Sequence, residues 1–214
     1  MKTLSFSHVT FADLQKLVNI QQVVNDAIFA EWFNYVHPFN EMESFLLSEL
    51  IKEHRPFILS YSEDELKMKF LAPLLNTVHF NKNGIRDWYQ RSLKAIINQV
   101  IITGHVDFMV AKGVKEPESP YFFIQEFKRS RFVIDPEDQL LAEMLVAMKL
   151  NHHNLMHGAY IIGQEWRFVI LCEVGLQTYE YYVSLIFDAL NIVDLQRIYS
   201  NLQFIKARFC QHQT

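Results

Sequence analysis

The chain has 214 residues, half of them hydrophobic, and a formal net charge of −4. That length and apolar content suffice for a sizeable buried core and exclude a disordered chain, while the acidic balance excludes a strongly basic nucleic-acid coat. No apolar run approaches the roughly 20 residues of a membrane helix, and "MKTLSFSHVTFADLQKLV" lacks the unbroken apolar segment of a secretory signal. A cytoplasmic protein with no membrane partner is expected.

In chain order, Thr10 to about Glu53 reads as helical. "FADLQKLVNI", "VVNDAIFAEWFNYV" and "NEMESFLLSELI" each repeat apolar residues at three-to-four spacing, which predicts two or three helices packed on a later core. Next, "SEDELKMKFLAPLLN" opens with Ser62 and Glu65 in the S-x-x-E arrangement of a capping box and carries Leu66, Phe70, Leu71 and Leu74 along one face. "SLKAIINQVIITGHVDFMVAKG" and "YFFIQEF" are β-prone, and "GVKEPESP" between them has the composition of a surface hairpin loop, so an antiparallel meander is expected. A helix follows over "EDQLLAEMLVAMKLN", with Asp135 as cap and Pro136 in the first turn. "GAYIIG", "WRFVILCEV" and "TYEYYVSL" read as strands, and "VDLQRIYSNLQFIKARF" as a closing amphipathic helix. The division is into a helical N-terminal extension, residues 1–61, packed on an α/β domain of mixed α+β character, residues 62–214.

The stretch "YFFIQEFKRS" begins as a core strand and ends in charges. Residues two apart on a strand share a face, so Glu126 and Lys128 project together while Phe127 enters the opposite layer. Asp107 lies in the preceding strand "HVDFMV", and pairing of the two strands would bring its carboxylate beside Glu126. Two close carboxylates repel and raise each other's pKa unless a cation separates them, and oxygen ligands of this kind suit Mg²⁺ or Mn²⁺. A lysine beside them would stabilise charge on a phosphoryl oxygen or position a water. The bland alternative is an exposed Glu126–Lys128 ion pair at a strand end, with Asp107 capping a turn.

The succession "GHVDFMVA", loop, "YFFIQEFK" and "DPEDQLLAEML" resembles the PD-(D/E)xK nuclease superfamily over about Ser62 to Leu171, in the style of small bacterial members. The resemblance implies a restriction-endonuclease-like core, a central mixed β-sheet flanked by helices, and hydrolysis of phosphodiester bonds in DNA. It implies Asp107 and Glu126 as ligands of Mg²⁺ or Mn²⁺ and Lys128 as the catalytic lysine. The proline of the family name is absent, since Val106 precedes Asp107. "SEDELKMKFLAPLL" is similar to the opening helix of the nuclease domain in type I restriction subunits, which implies Glu63 as a third ligand; Glu65 is the rival, already engaged in the capping box. A glutamine on the helix after E-x-K packs over the site in several branches, which implies Gln139. Where one branch carries a tyrosine four residues later, this chain has Glu143. A non-catalytic module that keeps the fold to bind nucleic acid or protein is the alternative function.

Other features carry less. His153 and His157 in "NHHNLMH" stand at i, i+4, yet the helix should end before His157 and no third zinc ligand is near. His105 shares a strand face with Asp107. Cys172 and Cys210 form neither a disulfide framework nor a metal-ligand spacing. Phosphate-loop, nucleophile-elbow and dinucleotide fingerprints are missing, which removes nucleotide-driven and acyl-transfer chemistry. Lys67, Lys69, Lys82, Arg86, Arg91 and Lys94 form one loose basic group, and Lys128, Arg129 and Arg131 another. Aromatic residues make up 14% of the chain. Trp88, Tyr89, Tyr121, Tyr160 and Trp166 suit either the core or base stacking, and Tyr179, Tyr181 and Tyr182 suit a homodimer contact. The N-terminal helices suit a protein-partner surface, a clamp on DNA or packing alone.

Overall fold

The computed structural model describes residues 1–128 and 135–210 and organises them around a nine-stranded mixed sheet. The strands are β1 (Lys2–Ser5), β2 (Asn19–Gln22), β3 (Ile85–Ile97), β4 (Val100–Lys112), β5 (Glu118–Lys128), β6 (Leu155–Ile162), β7 (Glu165–Gly175), β8 (Thr178–Val183) and β9 (Phe187–Asp188). Their spatial order is β1-β4-β5-β6-β7-β8-β2, with β3 along the other side of β4 and β9 beside β7. The helices are α1 (Phe11–Leu17), α2 (Ala30–Phe33), α3 (Glu41–His54), α4 (Glu63–Glu65), α5 (Ala72–Val78), α6 (Pro136–Asn151) and α7 (Ile192–Ile205).

Strand alternation divides the apolar residues into two cores. Phe108 and Val110 of β4 join Phe123, Phe168, Phe70 and Tyr199 on one face, with side chains from α3, α5 and α7. Met109 and Ala111 join Ile124, Val169, Leu14 and Met144 on the other, with side chains from α1 and α6. Both faces of the sheet are therefore covered, which is why its central strands read as near-continuous apolar runs. The expected meander is present as the antiparallel series β3, β4 and β5. β5 and β6 then run parallel, a pairing that needs a crossover, and α6 supplies it.

Local signals account for the helix starts. The Ser62 hydroxyl accepts from the Glu65 backbone N–H while the Glu65 carboxylate accepts from the Ser62 N–H, closing the capping box. From there α4 passes through a π-helical stretch, Leu66–Leu71, into α5. Asp135 caps α6 with Pro136 in its first turn. The midsection of α6, Gln139 through Met148, is buried on every side, the polar Gln139 and Glu143 included.

The N-terminal segment departs from the all-helical expectation. β1 pairs in parallel with the start of β4, Lys2 opposite Val100 through Ser5 opposite Thr103, and β2 pairs in parallel with β8. Residues 1–61 therefore contribute strands to the same sheet as residues 62–214, besides helices packed on it. Two short parallel strands pair only with distant partners, so no local pattern marks them. Among the described residues, no helix is long and apolar enough to cross a membrane. The tyrosines considered for a dimer contact are largely internal: Tyr181 and Tyr182 are buried. Arg129 and Arg131 lie outside the described residues.

Candidate active site

The site forms where β4 and β5 part. Their register runs from Lys112 opposite Glu118 to Phe108 opposite Gln125, and beyond Phe108 the strand β4 turns to β1 instead. The next backbone donor on β5, the Phe127 N–H, is satisfied by a side chain: it donates to Asp107 Oδ2 at 3.0 Å. A buried N–H without a partner costs roughly 1–3 kcal/mol, so Asp107 closes the ladder that the divergence opens. Its other oxygen, Oδ1, accepts from Lys67 Nζ at 2.9 Å and from the amide Nε2 of Gln90. Gln90 stands opposite Asp107 between the pairs Tyr89–Phe108 and Arg91–Val106, and its φ of 51° is left-handed. Left-handed backbone in a non-glycine residue stores about 1 kcal/mol or more, and such strain gathers at functional sites.

Glu126 and Lys128 share the face that period-two alternation assigns them, with Lys128 Nζ 2.5 Å from Glu126 Oε1. Glu126 is fully buried, and neither of its oxygens takes an aligned hydrogen bond. The exposed ion-pair alternative therefore does not describe Glu126. Burial, then repulsion from the Asp107 charge, pushes its pKa up to about 8 against the opposing pull of Lys128 and Lys67. Burial works to depress the Lys128 pKa, but Glu126, Glu63 and Asp107 outweigh it and hold the amine above its ordinary value. Lys128 is thus a fixed cation in this setting, suited to stabilising negative charge.

Glu63 and Glu65 separate cleanly. Glu65 stays at the helix start with Ser62 and pairs with Lys69 Nζ at 2.8 Å, and these contacts hold its carboxyl down at about 2. Glu63 faces the cluster, and its Oε1 accepts from Lys67 Nζ at 2.7 Å. Lys67 therefore bridges Glu63 and Asp107, and those two charges outweigh burial and raise its pKa. Gln139 is buried on α6 and donates through Nε2 to Glu143 Oε1 at 3.0 Å, leaving its own Oε1 and the Glu143 Oε2 without hydrogen bonds. Burial first and the Glu126 charge second keep Glu143 well above the carboxylate range.

Three participants escaped the sequence reading: Gln90, Lys67 beyond its place in a loose basic group, and Glu143 beyond its place as a substitution. A local signal existed for Lys67, since Glu63 and Lys67 are four apart on a helix. A charged residue in the middle of the apolar run "QLLAEMLVAM" was the signal for Glu143. His157, considered with His153, lies in β6, buried with its ring 4.9 Å from that of Trp32.

Two carboxylates that repel each other, with the buried Glu126 Oε2 lacking a hydrogen bond, are the oxygen-donor chemistry that suits a hard divalent cation. Among the described residues, however, no three His, Cys, Asp or Glu side chains form a ready metal cage, and Lys67 pairs with both Glu63 and Asp107. The fit is with Asp107 and Glu126 first. Neither models of known families nor curated protein sequences gave a match to this chain.

Proposed function

We propose that the chain is a divalent-cation-dependent nuclease that hydrolyses phosphodiester bonds in DNA. The observation that carries this reading is the buried Glu126 carboxylate, whose Oε1 meets Lys128, whose Oε2 has no hydrogen bond, and which the Asp107 charge repels. Asp107 and Glu126 would hold Mg²⁺ or Mn²⁺, with Glu63 available as a further carboxylate once Lys67 moves aside. The bound ion would supply Lewis-acid stabilisation of a phosphoryl oxygen and acidify a water. Lys128, kept protonated by its acidic neighbours, neutralises charge that develops on the phosphate during attack. Gln139 and Glu143 lie on the α6 side of the cluster, where burial and the Glu126 charge keep Glu143 protonated and Gln139 donates to it.

One observation favours a second reading, a nuclease-fold module that binds nucleic acid or protein without cleavage. Lys67 already neutralises Asp107 and Glu63, so the acids can be balanced without a metal. Calorimetric titration with Mn²⁺ into the millimolar range, on the wild type and on Asp107→Ala, separates the two, together with cleavage of single- and double-stranded DNA. The nuclease reading expects binding that disappears in Asp107→Ala and at least a hundredfold loss of cleavage in Asp107→Ala, Glu126→Ala and Lys128→Ala at unchanged fold. Cleavage that persists in all three would discard this site.

A further inference from the structure

We propose that the cavity next to Asp107 is a subsite for an unpaired nucleobase, so that the preferred substrate is single-stranded DNA or a duplex carrying an unstacked base. The proposal rests on the nuclease reading above and adds to it the form of the substrate. The cavity measures about 520 Å³ and has apolar walls from Met68, Tyr89 and Phe127, with Asp64, Lys67 and Gln90 as polar groups and Asp107 at its side. That volume falls within the roughly 300–1,000 Å³ range of small-molecule pockets, and a base is a ligand of that kind: flat, apolar on its faces and polar along its edge.

Charge excludes the simplest competitor, a phosphate seated directly in the cavity. Among the described residues its one cation, Lys67, is taken up by Glu63 and Asp107, and Asp64 adds a further negative charge to the lining. A neutral ligand suits these walls better than an anion. The Gln90 amide, one of whose Nε2 hydrogens goes to Asp107, keeps its Oε1 as an acceptor and a second N–H as a donor for the edge of a base.

Tyr89 supplies the stacking surface. Among the aromatics that the sequence offered for stacking, Trp88, Tyr160 and Trp166 are consumed by the cores. Tyr89 is 37% exposed and lines the cavity. Its ring is held edge-on by Phe108 at 5.2 Å, and its hydroxyl donates to Asn76 Oδ1 at 3.4 Å. A ring fixed this way loses little freedom when a base stacks on it. Asp107 lines the cavity and also belongs to the acidic cluster, so a base in the cavity adjoins the site at Asp107. A base stacked within a duplex cannot enter, so entry requires an unpaired or extruded base.

The test is fluorescence anisotropy with a labelled oligonucleotide, free or annealed to its complement, in low salt with Ca²⁺ as a hard, oxygen-seeking ion. The single strand should bind at least tenfold tighter than the duplex. Tyr89→Ala should lose about tenfold of single-strand affinity, in line with the stacking contribution of one base, whereas Tyr89→Phe should retain it. Met68→Glu, at a position 72% exposed and so without consequence for folding, should lose affinity in the same direction. Equal affinity for both forms, or undiminished single-strand binding by Tyr89→Ala and Met68→Glu, overturns the subsite. If the wild type nevertheless cleaves DNA with Mn²⁺, the nuclease reading survives that result; if it neither binds nor cleaves, both fall.

Discussion

Replacing Glu126 by glutamine in metal-free buffer isolates the electrostatic stress at the centre of the site. Folded Glu126 keeps its proton up to about pH 8, whereas an unfolded glutamate releases it near 4.5. The folded state therefore binds more protons throughout that window, and stability falls as pH rises through it. At about 1.4 kcal/mol per unit, with the curves flattening at each end, the wild type loses roughly 3 kcal/mol through this group between pH 5 and pH 8. Glu126→Gln carries no such proton. The loss of the Lys128 partner adds a constant penalty that cancels when the same pair of proteins is compared at two pH values. Urea unfolding of both proteins in EDTA at pH 5, 6.5 and 8 should show the stability difference moving toward the variant by about 3 kcal/mol across the range. Adding Mn²⁺ at pH 8 should restore the wild type and leave the variant unchanged. Parallel pH curves for the two proteins would refute the placement of Glu126 as a buried, repelled carboxylate.

His157 gives the opposite pH dependence. Burial, helped by the Arg208 charge, drops its pKa to about 3, so the folded state binds fewer protons than the unfolded chain between there and 6.5. Stability from this group is complete above pH 6.5 and is lost on acidification, by about 2 kcal/mol at pH 5, and His157→Phe should remove that loss in a denaturant titration. Gly104 admits no larger residue without movement, since an added Cβ would come within 2.6 Å of the buried Phe6 ring. Gly104→Ala should cost about 1–3 kcal/mol as overpacking, read as a lowered melting temperature, and an unchanged melting temperature would contradict that close approach.

How much of the site was legible follows from the range of each contact. Period-two alternation placed Glu126 and Lys128 on one face, and the S-x-x-E signal placed the helix start that presents Glu63, because both patterns repeat within a few residues. Asp107 was legible as a residue type inside an apolar strand. The way it holds the Phe127 N–H was not, because that contact exists only where β4 leaves β5 for β1. Gln90 enters the site through register with β4, 17 residues away along the chain, and no spacing rule announces it.

The sequence by itself determined the layers: strongly periodic helices, β-branched strands, capped starts and the polar residues that interrupt an apolar run. These depend on side-chain period and backbone preference, which are local. Only the tertiary structure decided that the N-terminal residues carry two strands of the common sheet, that Lys67 joins Glu63 to Asp107, and that Glu143 lies behind Glu126. Each of these is a meeting of segments far apart in the chain. Their energies come from burial and from charges brought together, and neither exists until the sheet has closed.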